Sequence, residues 1–186
     1  MNKFGTLRSI ASTELELMLS WRNAPGVREN MYTRHEITMK EHLAWWKRVQ
    51  GIASQKYFMF ELGGLALGVV AFTEIDDVNG NASWAFYASP SAPAGTGSTM
   101  EFLALEHAFN HLNLHKLNCE VLAFNKPVIK LHKKFGFKTE GILREHHKVD
   151  DGFVDIYKLG ILSSEWIEQK PLMQQKIKKT LNRVRE

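Results

Sequence analysis

One segment constrains the fold of this chain more than any other. "SAPAGTGSTMEFLALEHAFNHL", Ser91 to Leu112, opens as a Pro/Gly/Ser-rich loop and passes without a break into an apolar helical pattern. Phe102, Leu105, Phe109 and Leu112 form a stripe at helical spacing, and Met100, Leu103, Ala104 and Ala108 widen it. A helix so broadly apolar must lie in the centre, packed on a sheet.

The flanking sequence supplies that sheet. "KYFMFEL" and "LALGVVAFTEID" are strand-like runs joined at Gly63-Gly64, a hairpin signal. "VNGN" makes the next turn and "ASWAFYAS" the third strand of a meander, with Ser83, Ala85 and Tyr87 on one face and Trp84, Phe86 and Ala88 on the other. After the central helix come a strand, "KLNCEVLAFN", and a short helix, "KPVIKLHKKFGF", with Pro127 in its first turn and Gly136 at its end. "ILREHHKV" and "FVDIYKLGIL" then form a hairpin about Asp150-Asp151-Gly152. Two helices precede the meander. "STELELMLSWRNAP" has Ser12 or Thr13 as its cap, with Pro25 past its end. "TMKEHLAWWKRVQG" shows capping-box spacing at Thr38 and Glu41. This order predicts a mixed α/β (α+β) fold with a mostly antiparallel central sheet flanked by helices.

At 186 residues the chain suits one domain, expected over residues 1–162, followed by a basic, helical tail over 163–186. From Lys170 onward there are six Lys/Arg and one Glu, so the rest of the chain is nearly neutral. That balance disfavours a nucleic-acid partner, which calls for a basic face on the folded domain. A lone cysteine, Cys119, allows no internal disulfide and suits a reducing compartment. No window resembles a membrane span, so a cytoplasmic protein is expected. No metal site is expected either: His146 and His147 are adjacent on a strand and point to opposite faces, and His111 and His115 lie at a helix end.

The chemistry starts at the join between loop and helix. First-turn amides have no intrahelical partner, and the helix dipole adds positive potential, so a strand–loop–helix unit can hold an anion. Gly95 and Gly97 let the backbone approach a phosphate closely. An ordinary turn is the competing reading. The loop has no lysine, which excludes a P-loop, and position 100 is Met, which excludes the third glycine of a dinucleotide fingerprint.

A second constellation, "CEVLAFNKPVIKLHKKFGF", makes the pattern specific. Asn125, His132 and Gly136-Phe137 match the spacing of the Gcn5-related (GNAT) N-acetyltransferases, which the chain resembles up to about Leu162. That resemblance implies acetyl-CoA as donor, no metal, and a sheet splayed between its fourth and fifth strands. It assigns the pyrophosphate to the amides of Ala94, Gly95, Thr96, Gly97, Ser98 and Thr99, and the pantetheine arm to the backbone of Phe86-Tyr87-Ala88 and to Asn125. Lys130 and Lys133 would reach the remaining phosphate. Two positions depart from the family. Ala92 stands where a Gln or Arg is usual, and His132 stands where a Tyr serves as acid for the departing thiolate. An imidazole can also donate that proton. Glu120, five residues before Asn125, is the candidate base and Glu74 the runner-up. Cys119 reads as a small buried side chain.

The N-terminal run Trp21-Arg22-Asn23, Val27-Arg28, Met31-Tyr32 and His42-Leu43-Ala44-Trp45 resembles a narrower branch, the sugar-nucleotide N-acetyltransferases of pseudaminic acid biosynthesis. These act on UDP-4-amino-4,6-dideoxy-N-acetyl-β-L-altrosamine. The resemblance implies a rim of Met31, Tyr32, Trp45 and Phe86 for the uracil and deoxy-sugar, with Arg22 or Arg28 at the diphosphate. Two alternatives stay open: a ribosomal-protein or peptide N-terminal acetyltransferase, and an acyl-CoA-binding module without turnover. A homodimer is compatible with all three.

Overall fold

The computed structural model describes residues 4–183. Within them seven strands form one sheet: β1 (Thr6–Ser9), β2 (Lys56–Leu62), β3 (Leu65–Asp76), β4 (Asn81–Ala88), β5 (Lys116–Leu122), β6 (Lys138–Val149) and β7 (Gly152–Leu162). Their order is β1-β2-β3-β4-β5-β7-β6. Among the described residues six α-helices flank the sheet: α1 (Leu15–Asn23), α2 (Pro25–Arg28), α3 (Met39–Val49), α4 (Thr96–Asn110), α5 (Lys126–Lys134) and α6 (Ser163–Arg183). No helix among the described residues is long and apolar enough to cross a membrane.

All neighbouring strands are antiparallel except β4 and β5. These two run parallel and pair only at Asn81↔Lys116, Ala82↔Leu117 and Ser83↔Asn118. Beyond Ser83 they part. β5 stays paired with β7 as far as Leu122, while Trp84 and Phe86 of β4 stack on each other at 5.2 Å. The parting frees the inner edge of β4 from Trp84 to Ala88, and that edge becomes one wall of a cleft.

α4 is the central helix. Met100, Phe102, Ala104, Leu105 and Ala108 are all buried in the main core. It lies so close to β3 that a Cβ on Gly68 would stand 2.6 Å from the Met100 side chain and 2.7 Å from the Tyr87 carbonyl. The Met100 side chain could move aside but the Tyr87 carbonyl of the neighbouring strand could not, so the position requires glycine.

α3 begins as its sequence indicates. Thr38 accepts from the Glu41 amide at 3.2 Å, and the Glu41 carboxylate accepts from the Thr38 amide at 2.7 Å. A Thr38→Ala variant should lose about 1 kcal/mol in chemical denaturation. The cap of α1 differs from expectation. Neither Ser12 nor Thr13 is the N-cap: a 3-10 turn over Ser12–Glu14 precedes the helix, capped at Ala11. Its Ala11 amide donates to the Glu14 carboxylate at 2.9 Å, and Arg8 pairs with that same carboxylate at 2.7 Å.

The basic stretch after Leu162 is a 21-residue helix with Pro171 inside it. Its composition hides a buried face. Trp166, Met173 and Ile177 are 2%, 1% and 4% exposed and belong to the main core. Trp166 donates its indole N–H to Glu106 of α4 at 2.9 Å.

Candidate active site

Two cavities meet at β4. The first, of about 620 Å³, fills the gap where β4 and β5 part. Trp84 through Pro90 form one wall, Cys119 through Leu122 the other, and Asn125, Val128 and His132 close it from α5. The second, of about 610 Å³, is lined by Arg22 of α1, Glu41, His42, Trp45 and Arg48 of α3, and Tyr57 of β2. The two share Met31, Ala85, Phe86 and Tyr87. A donor in one and an acceptor in the other would therefore face each other across this strand.

The loop before α4 is shaped for an anion. Gly95 caps the helix at φ +91°, the left-handed region that favours glycine. The Thr96 and Thr99 amides bond to the carbonyls of Pro93 and Gly95. The Gly97 and Ser98 amides have no acceptor outside the helix among the described residues. The hydroxyls of Thr96 and Thr99 turn back to the same two carbonyls, at 2.7 and 3.3 Å, and so are unavailable to a ligand. Ala92 packs against the core and offers no polar group. What remains is a cradle of backbone amides. A Cβ on Gly97 would make ordinary contacts with Leu131 at 3.5 Å and Phe86 at 3.6 Å. Lys133 holds its ammonium 6.0 Å from the centre of the Tyr157 ring. Lys134 and Lys176 instead flank Gly95 and Ser98, and Lys130 is exposed.

Unpaired polar atoms line the donor cleft. The Trp84 indole N–H is buried with no partner, although the residue is only 3% exposed. Asn125 sits at the N-cap of α5, and its side chain makes no capping bond. Both can bond to an amide-bearing arm, and the edge of β4 from Trp84 onward is not paired with β5. The residues present therefore fit a coenzyme A arm.

Glu120 lies on the cleft wall, bound from two sides. Tyr32 donates to its Oε2 at 2.7 Å, and Lys158 pairs with its Oε1 at 3.0 Å. Burial works to raise its pKa, but these two bonds outweigh burial and hold it below the ordinary carboxylate value. Tyr32, which the sequence places on the acceptor rim, thus lies against the donor cleft, its ring 4.9 Å from that of His147. Burial first, and then Glu120, push its phenol upward. Arg34 pairs with Asp150 at 3.2 Å, so the segment between α2 and α3 is tied to both β5 and the β6–β7 turn. Glu74 lines neither cavity; it accepts from Ser83 at 3.1 Å.

His132 is 3% exposed, and its Nδ1 lies 2.9 Å from Oε1 of a fully buried Glu101. Burial alone would lower its pKa. The attraction of Glu101, with a contribution from Cys119, reverses this and pushes the imidazole up to about 10. Arg22 donates from Nη2 to the Thr33 carbonyl at 3.0 Å, while its Nη1 is buried without a partner. Trp45 lines the second cavity, whereas Arg28 pairs with Glu36 at 3.8 Å. Sequence reasoning missed Glu101, Arg48, Tyr57 and Lys134. Glu101 alone carries a signal, being a charge inside the apolar stripe of α4. Among the described residues no group of three His, Cys, Asp or Glu could hold a metal ion.

A parted parallel strand pair, a helix N-terminus with free amides and an aromatic cavity beside them suit an acyl-coenzyme A-dependent acyltransferase. The chain belongs to the GNAT acetyltransferases: the family model described as "Acetyltransferase (GNAT) domain" matches residues 6–138. It is accordingly an N-acetyltransferase with acetyl-CoA as donor. The acetyltransferase PseH of Campylobacter jejuni serotype O:23/36 is 28% identical over 137 residues, 74% of this chain and 85% of that protein. The spermidine N(1)-acetyltransferase of Vibrio cholerae is 23% identical over 171 residues, 91% of this chain and 99% of that one. A crystal structure of the Vibrio cholerae spermidine N-acetyltransferase with CoA and spermine superimposes with a TM-score of 0.83 at 23% identity, covering 89% and 99% of the two chains. That likeness concerns the fold.

Proposed function

We propose that the protein transfers acetyl from acetyl-CoA to the amine of an amino-sugar nucleotide of the UDP-4-amino-4,6-dideoxy-N-acetyl-altrosamine type. The amine attacks directly, without an acyl-enzyme. The charge of the acceptor cavity carries this reading. Two arginines, Arg22 and Arg48, line it with a single carboxylate, Glu41, among the described residues. That carboxylate is already held by Thr38 and lies 3.3 Å from His35. The unpaired Nη1 of Arg22 calls for an oxygen acceptor, and a diphosphate supplies one. Trp45 and Tyr57, edge to face at 5.0 Å, offer a wall for a base. The similarity to PseH supports the same acceptor.

A polyamine acceptor is the second reading, favoured by the near-complete overlap with the Vibrio cholerae spermidine acetyltransferase. A polycation would meet two arginines in this cavity with no uncommitted carboxylate to offset them. Calorimetry separates the two. UDP should bind, and Arg22→Met should weaken it about tenfold, roughly 1.4 kcal/mol. Spermidine binding tighter than UDP would contradict the proposal.

In this scheme Glu120 takes the proton of the attacking ammonium and His132 supplies one to the departing thiolate. Because Glu120 is held low, it is ionised at neutral pH, and on the acidic side the rate should hold until pH drops through its depressed pKa. Tyr32→Phe removes one of the bonds that depress it. The acidic limb of kcat/KM should then move to higher pH, and an unmoved limb would remove Glu120 from the base role. We place the reaction in the cytoplasm, where the free Cys119 stays reduced.

A further inference from the structure

Glu101 does not belong in an apolar helix on packing grounds. It sits on α4 between Met100 and Phe102 and is 0% exposed. A carboxylate so placed is costly unless it is paired. Its Oε1 meets His132 Nδ1 at 2.9 Å, and its Oε2 is buried with no hydrogen-bond partner. The carboxylate therefore commits itself to one imidazole. That imidazole is packed in turn against Trp84, Phe86 and Phe137, with ring centres at 5.4, 6.1 and 5.2 Å. The other polar groups facing the pair are Cys119 on β5 and Lys134 on α5.

We infer that Glu101 is a positioning residue for acetyl transfer: it fixes the His132 ring through Nδ1 at the wall of the cleft that His132 lines, and keeps on the ring the proton that His132 delivers. The inference rests on the acid role proposed for His132. It also links two parts of the site. Glu101 lies four residues after Gly97, about one turn along the same helix. The helix that presents the amide cradle thus also orients the acid.

The sign of the effect follows from the neighbours of the ring. Burial works against a charged imidazole, and the Glu101 carboxylate is the principal group opposing it. Neutralising Glu101 removes the largest group opposing burial, and the ring then loses its proton at lower pH. A merely structural contact would not move a pH profile in this way.

The experiment compares wild type, Glu101→Gln, Glu101→Asp and His132→Gln. It measures kcat against pH with both substrates saturating, and follows the His132 ring by NMR in the absence of substrates. Wild type should show a charged imidazole at pH 8. Glu101→Gln should show a neutral one and lose at least about tenfold in kcat at pH 8, with less loss at pH 6 and the KM for acetyl-CoA within about twofold. Glu101→Asp should restore part of the alkaline activity. A neutral His132 at pH 8 in wild type overturns the inference whether or not the variants fold. So does a Glu101→Gln profile that superimposes on wild type while His132→Gln has lost activity. Full kcat in His132→Gln would instead overturn the acid reading on which the inference rests.

Discussion

His132→Gln should lower kcat by about 100- to 10,000-fold, the usual range for losing a general acid or base, with little change in the KM for acetyl-CoA. The glutamine amide can still donate to Glu101, so the fold should survive. It has no proton to give the departing thiolate. His132→Phe should lose the same activity and also about 3–5 kcal/mol of stability, because it leaves Glu101 buried and unpaired. Comparing the two variants separates chemistry from packing. In wild type the imidazolium persists across the neutral range, so kcat should hold there and fall only as pH rises toward about 10. A wild-type profile falling near pH 6.5 would mean that Glu101 does not act on the ring.

Removal of α6 should prevent folding. Trp166, Met173 and Ile177 lie in the main core, and Trp166 packs on Phe102 at 5.4 Å and on Phe135 at 6.3 Å. Full burial of such side chains contributes about 1.5–3 kcal/mol each, so three of them rival the whole stability of a domain, about 5–15 kcal/mol. A chain ending at Leu162 should lack a cooperative thermal transition. Trp166→Ala alone should cost about 3–5 kcal/mol and shift the urea midpoint accordingly. A truncated chain that melts cooperatively near the wild-type temperature would show that the helix is dispensable.

Much of this architecture was legible from local signals. The hairpin at Gly63-Gly64, the box at Thr38 and Glu41, and the glycine loop before α4 are each written within a few residues, and the structure contains them. What escaped depends on distant partners. β1 is four residues long and partly exposed, and Arg8 ties it to Glu61 across 53 positions. The buried face of α6 is diluted by lysine and glutamine, so its composition suggests solvent where its spacing reaches the core. Glu101 and His132 are separated by 31 positions, and only the packing of α5 on α4 brings them together. The sequence places Tyr32 on the acceptor rim, yet it bonds to Glu120, 88 positions away. The second cavity draws on α1, α3, β2, β3 and β4 together; the local runs point to Arg22, Met31, Trp45 and Phe86, but not to Arg48 and Tyr57, which complete it.

The central claim concerns the acceptor, and one measurement tests it directly. The protein would be supplied with acetyl-CoA and, in separate reactions, UDP-4-amino-4,6-dideoxy-N-acetyl-β-L-altrosamine and spermidine, and release of the free thiol of CoA followed with time. The predicted result is turnover of the amino-sugar nucleotide with kcat/KM at least about 100-fold above that for spermidine, a difference of roughly 2.7 kcal/mol in transition-state binding. Equal or faster turnover of spermidine would contradict it.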